Sequence, residues 1–259
     1  MFKMISAEFY RLRRSRSFWI MVAVIAGMSA FTSIVFGVSA NSAELMETGL
    51  RPDTVGEMLE VSAGLMTTIT LFMFVGFTIT FISSDFDSGI IRNPLAVGTE
   101  RIHYLIAKFI MILITCGVFL IVGIGVAGLA YMPFESFGTG FNSGNFLLGV
   151  GVSYLNLVTQ ATLFMAVAII TRKIGATLGI VLGYIVLDLI AGTFVTMLEV
   201  EGILARLASF LPSGSEAISN AVSTGTAYTG DVMTFVVMMV GLIVAASVFA
   251  IRNLVTKDV

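Results

Sequence analysis

Long uncharged stretches alternate with short charged ones along this chain. Twenty-seven residues without charge separate Arg16 from Glu44, and 24 separate Glu60 from Asp85. Lys108 to Glu135 encloses 26, and Glu135 to Arg172 encloses 36. The run from Lys173 to Glu199 is interrupted only by Asp188, and Asp231 to Arg252 encloses 20. A helix needs about 20 apolar residues to cross the hydrocarbon of a bilayer. The pattern therefore predicts six helical spans, near 18–40, 61–84, 109–132, 147–171, 174–198 and 232–251. Lipid-facing backbone groups must be satisfied within the segment, which selects helices.

Three further segments are neither spans nor plain connectors. In the first, residues 1–16, Phe2, Ile5, Phe9 and Leu12 recur at spacings of 3, 4 and 3. That is one helical face, with Lys3, Glu8, Arg11 and Arg14 elsewhere. It predicts an interfacial helix lying along the membrane, with Trp19 anchoring the first span at the headgroups. The second is DFDSGIIRNPLAVGTERIHYLIAK, from Asp85 to Lys108. Asp85 and Asp87 suit a helix N-terminus, where the dipole favours anions. Pro94 forces Asn93 out of helical geometry. Ile90, Ile91 and Leu95 need burial, against the membrane surface, the chain itself or a partner. In the third, Ile203, Leu204, Leu207 and Leu211 repeat helically, Pro212 ends that run, and Ser213 with Glu216 forms a capping box. Two short extracellular helices between spans 5 and 6 are expected.

Composition supports the bilayer reading. Of 259 residues, 57% are hydrophobic and 12% charged, where a soluble domain carries about 25% charged. A net charge of −2 gives no general attraction to nucleic acid. Twelve of the 14 Lys and Arg fall in the N-terminal tail, the 85–108 segment, the 172–173 turn and the C-terminal tail. Only Arg51 and Arg206 lie in the other loops, so both termini are expected in the cytoplasm. A signal peptide competes for the first span, since Val38-Ser39-Ala40 resembles a cleavage site. Its apolar core would be about 7–15 residues, much shorter than this run.

Candidate chemistry is sparse. One cysteine, Cys116, and one histidine, His103, exclude an intrachain disulfide and paired-His zinc motifs. No phosphate-binding loop of the G-x-x-x-x-G-K-[ST] type occurs. No catalytic, cofactor or metal residue is assigned. Asp188 is the one intramembrane charge, and such groups face a cavity or a partner. Counted at 1.5 Å per residue from Lys173, it stands about 22 Å along span 5. Gln160 and Asn156, on a shared face with Ser153, stand about 18 and 24 Å along span 4. A site at Asp188, Asn156 and Gln160 is expected, either as a structural hydrogen bond or as a substrate contact. Thr67, Thr70 and Thr78 form a weaker polar stripe on span 2. Gly175, Gly179 and Gly183 form a small-residue stripe that admits a close helix.

Topology and motif together resemble the membrane subunits of ABC exporters of the ABC-2 type. The sharpest resemblance is the second segment: Asp85, Ser88-Gly89, Ile90-Ile91, a break from Pro94 to Gly98, Arg101, and Lys108 entering span 3. Aspartate stands at 85 where the family more usually has glutamate. The resemblance implies a single permease domain over residues 1–259 in a bacterial cytoplasmic membrane. It implies a coupling helix between spans 2 and 3, with Asp85, Asp87, Ile90, Ile91 and Leu95 engaging a separate ABC ATPase subunit. ATP and magnesium would bind there, and this chain would carry no cofactor and no enzymatic activity. A second permease subunit, identical or not, is implied, with membrane lipid around the pair. The small outer loops look more like the bacterial drug, bacteriocin and lantibiotic-immunity permeases than the eukaryotic exporters. That implies export of a hydrophobic or amphipathic substrate and a part in antibiotic resistance. The alternatives are a secondary transporter, which should show inverted repeats or several buried charges, and a non-transporting immunity or anchor protein.

Overall fold

The computed structural model describes residues 2–38, 52–88, 101–136, 138, 141–197, 218, 221–222, 225 and 229–256. The expected helix at 203–211 and positions Ile90, Ile91, Leu95 and Pro94 lie outside them; of the helix expected beyond Ser213, only positions 218, 221 and 222 are described, all three helical. No strand occurs among the described residues. Helix α1 covers Phe2–Arg14 and α2 covers Arg16–Val38. Next come α3, Val55–Phe77, a π-helical segment, Thr78–Ser83, and α4, Ser84–Asp87. Then follow α5, Arg101–Tyr131, α6, Ser143–Thr171, α7, Ile174–Met197, and α8, Thr229–Thr256. Among the described residues, six helices are long and apolar enough to cross a membrane: α2, α3 with its π and α4 continuation, and α5 to α8. They are spans 1 to 6.

Local chemistry sets the helix ends. Thr54 Oγ1 accepts from the Glu57 amide at 3.1 Å, and the Glu57 carboxylate accepts from the Asp53 amide at 2.8 Å. These bonds satisfy donors that open α3. Asn142 caps α6 in the same way, accepting from Gly144 and Asn145. Ser15 separates α1 from α2, and the Trp19 indole donates back to the Arg13 carbonyl at 2.8 Å.

Span 3 packs against spans 1 and 2 and against α1, while span 4 packs against spans 2, 5 and 6. Aromatic rings fill the first junction. Phe119 of span 3 lies 5.9 Å from Phe18 and 5.5 Å from Phe74, and Phe77 stacks on Phe81 at 5.0 Å. Offset contacts of this kind add to plain area burial. At the end of the bundle away from α1, the Tyr131 hydroxyl donates to the Pro52 carbonyl at 2.5 Å. There Gly37 faces the Phe134 ring so closely that a Cβ would sit 2.4 Å from it. Span 4 is the most enclosed helix, and spans 5 and 6 are the least.

Two expectations change. Asp85 and Asp87 do not open a helix. They lie in the last turn of span 2, whose helix runs on through the π segment. Phe81, Ile82 and Asp85 are buried there, so packing carries the helix past the point where charge suggested a boundary. On α1, Leu12 is buried and Ile5 partly so, but Phe9 is 45% exposed. Glu8, placed outside the apolar face by sequence, is buried instead.

Candidate functional site

Buried side chains gather where α1, the end of span 2 and the start of span 3 meet. Arg11 projects from the last turns of α1. Its two terminal nitrogens donate to the two oxygens of Asp85, Nη1 at 2.9 Å and Nη2 at 2.5 Å. Such a fork-to-fork pair fixes direction as well as distance. The Tyr104 hydroxyl donates to Asp85 Oδ2 at 3.0 Å. Lys108 stands two turns inside α5 and is 1% exposed. Its ammonium lies 2.7 Å from Asp85 Oδ2 and donates to Glu8 Oε2 at 2.9 Å and to the Phe81 carbonyl at 3.0 Å. Its three N–H groups thus have three acceptors.

The charges balance: Glu8 and Asp85 against Arg11 and Lys108. Balance matters, because an unpaired charge at this burial is costly, while a well-bonded pair recovers its desolvation. The Phe81 ring lies under both cations, 4.1 Å from Lys108 Nζ and 5.1 Å from the Arg11 guanidinium. Its π face adds attraction for each. Hydrogen bonding to Asp85 raises the Arg11 guanidinium above its ordinary value, against the opposing effect of burial. Phe81 also belongs to the π segment, where backbone carbonyls leave the α-helical register. Lys108 therefore binds a carbonyl of the π segment that leads into the turn carrying Asp85.

Asp85 and Lys108, the two ends of the recognised motif, are in contact. Asp87 lies on the following half-turn, outside the ion cluster. Sequence reading missed Glu8, Arg11 and Tyr104. The available signal was Lys108 itself, a lysine between Ala107 and Phe109 that must have buried anions to meet.

A second polar set lies between spans 2, 4 and 5. The Tyr184 hydroxyl of span 5 donates to Gln160 Oε1 at 2.8 Å, and Gln160 Nε2 donates to Asn156 Oδ1 at 3.3 Å. Asp188 is 7% exposed and stands one turn beyond Tyr184 on the same buried face, with Thr177, Val181 and Ile185. Ser153 reaches the Ala63 carbonyl of span 2 at 3.5 Å. Nearer the α1 end, Thr177 Oγ1 lies 3.2 Å from Ser83 Oγ and 2.7 Å from Thr171 Oγ1. Spans 2, 4 and 5 are thus joined at several depths. Thr70 and Thr78 are also buried, each with a hydroxyl that finds no partner among the described residues. Tyr184 was not foreseen, because a lone tyrosine in an apolar span carries no periodic signal.

The glycine stripe faces away from all of this. A Cβ added at Gly175, Gly179 or Gly183 would meet nothing within 4 Å. The stripe packs against no other part of the described chain. Among the described residues, no three His, Cys, Asp or Glu side chains gather as metal ligands would.

These features define a multi-pass helical membrane protein whose polar interior joins its spans to one another. The family model of ABC-2 family transporter proteins matches residues 4–189, which include α1, the ion cluster and the first five spans to Leu189. The chain belongs to that family and is a membrane component of ABC transport. No curated protein matches it.

Proposed function

We propose that this chain is the permease subunit of an ATP-driven exporter, with its termini in the cytoplasm and ATP hydrolysed on a separate subunit. The supporting observation is the ion cluster. Glu8, Arg11, Asp85 and Lys108 bind α1 and both ends of the 88–101 segment into one unit. A force applied to that segment by a docked ATPase reaches spans 2 and 3 together, since Asp85 ends one and Lys108 lies near the start of the other. In this reading Ile90, Ile91 and Leu95 are the residues that dock, and Asp85 positions them from behind rather than touching the ATPase. The exported molecule is hydrophobic or amphipathic, and drugs, antimicrobial peptides and lipids are the candidate classes.

Pairing is the second part of the proposal. Gly175, Gly179 and Gly183 offer a flat strip on span 5 with no partner helix in the described chain. Small residues let helix backbones approach closely in lipid. A second permease subunit would cover this strip. The test of the whole reading is purification in mild detergent from the native membrane. A nucleotide-binding subunit recovered in a fixed ratio supports it, and a chain that purifies without one and transports nothing in the presence of ATP overturns it.

A further inference from the structure

Between spans 3, 4 and 6 lies a lateral groove of about 140 Å3. Leu105, Ile106 and Phe109 of span 3, Met165 of span 4 and Ser247 and Ile251 of span 6 line it. Ser247 is the only polar side chain among the lining residues. These walls suit a hydrocarbon chain and offer almost nothing to a peptide backbone, whose polar groups need partners.

Each of the three helices carries an arginine at its α1-side end. Arg101 opens α5, Arg172 caps α6, and Arg252 directly follows Ile251 on α8. Arg172 holds a left-handed conformation, φ 54°, uncommon for a residue with a side chain. At 1.5 Å per residue, Phe109 lies about 12 Å beyond Arg101, Met165 about 10 Å beyond Arg172 and Ser247 about 8 Å beyond Arg252. By this count three basic residues stand within about 12 Å of the slot along its three helices, each toward the α1 end. Span 2, which ends near Asp87, does not line the groove.

We infer that the groove holds one acyl chain of an anionic phospholipid, with the phosphate at the level of Arg101, Arg172 and Arg252. Basic pockets between membrane helices select anionic headgroups in this way. The inference requires only that the chain spans a bilayer. It does not depend on an ATPase or on the direction of insertion, so it stands or falls separately from the proposed function.

Tryptophan quenching tests it. The single tryptophan is removed by Trp19→Phe, and Phe109→Trp places an indole in the groove. The protein is reconstituted in phosphatidylcholine vesicles with rising fractions of either dibrominated phosphatidylglycerol or dibrominated phosphatidylcholine. Each basic residue near the surface is worth about fivefold in anionic-lipid binding. Half-quenching at position 109 should therefore need at least about fivefold less brominated phosphatidylglycerol. Arg101→Gln with Arg252→Gln should abolish the preference, whereas Arg13→Gln, exposed on α1, should leave it intact. An indole placed by Leu178→Trp, exposed on span 5, should show no preference. Should Phe109→Trp fail to insert, Ile106→Trp probes the same groove. Equal quenching by the two lipids at the groove overturns the inference. So does a preference that appears equally at position 178, or that falls equally with Arg13→Gln, because either reports bulk surface charge alone.

Discussion

Replacing Lys108 by methionine removes one charge while keeping most of the side-chain volume. In the native protein this ammonium contacts Asp85, Glu8 and the Phe81 carbonyl at 2.7, 2.9 and 3.0 Å, with 1% of the residue exposed. Removing one partner of a buried pair costs about 3–5 kcal/mol, because the remaining charge stays buried. Here the remainder is not fully abandoned. Asp85 keeps both Arg11 nitrogens and the Tyr104 hydroxyl. Glu8 keeps only Arg11, at 3.9 Å. The expected loss therefore sits at the low end, about 3 kcal/mol. Adding Glu8→Gln removes the stranded carboxylate, so the double variant should recover on the order of 1 kcal/mol relative to additivity. The assay is unfolding in mixed micelles titrated with a denaturing detergent. A Lys108→Met protein within about 0.5 kcal/mol of wild type, the range of ordinary surface changes, would refute this view of the cluster.

Other expectations are more local. Cysteines introduced at Thr48 and Thr224 should react with an impermeant thiol reagent on intact cells, the native Cys116 being buried; labelling only after lysis reverses the topology. Asp188→Asn should keep folded yield, since the amide still bonds, while Asp188→Leu should lower yield or transport; a leucine variant equal to wild type in both would mean that the carboxylate has neither role. Gly179→Leu should leave the monomer folded, because a Cβ there meets nothing within 4 Å, yet should break the proposed permease pair on size analysis in detergent; an unchanged pair would mean that span 5 is not the contact.

The spans were legible because charge marks the hydrocarbon edge. Helix ends were less so. The helix of span 3 begins at Arg101, well before the apolar run after Lys108, since helices continue past the membrane core wherever packing supports them. Span 2 shows the same physics more sharply. Asp85 reads as a boundary in sequence, but three cationic or hydroxyl donors draw it inside. Sequence periodicity cannot report this, because the donors come from α1 and span 3 and not from neighbouring positions. The expected depths of Asp188, Asn156 and Gln160 could be counted from the chain, but not which side chains meet. That Tyr184 supplies the link to Gln160 depends on helix rotation, which counting does not give. The glycine stripe was visible at i, i+4 and i+8, but which way it faces was not.

In the proposed function, the segment between spans 2 and 3 transmits ATP hydrolysis to the membrane helices. The most direct measurement is the rate of ATP hydrolysis by the nucleotide-binding subunit in proteoliposomes with wild-type permease and with Ile90→Asp plus Ile91→Asp, at equal membrane levels. Burying two isoleucines in a docking groove is worth about 3–5 kcal/mol, so their loss should weaken docking at least about a hundredfold. The double variant should insert normally, fail to retain the ATPase and leave its hydrolysis at the unstimulated rate. Undiminished recovery of the ATPase, with full stimulation, would contradict it.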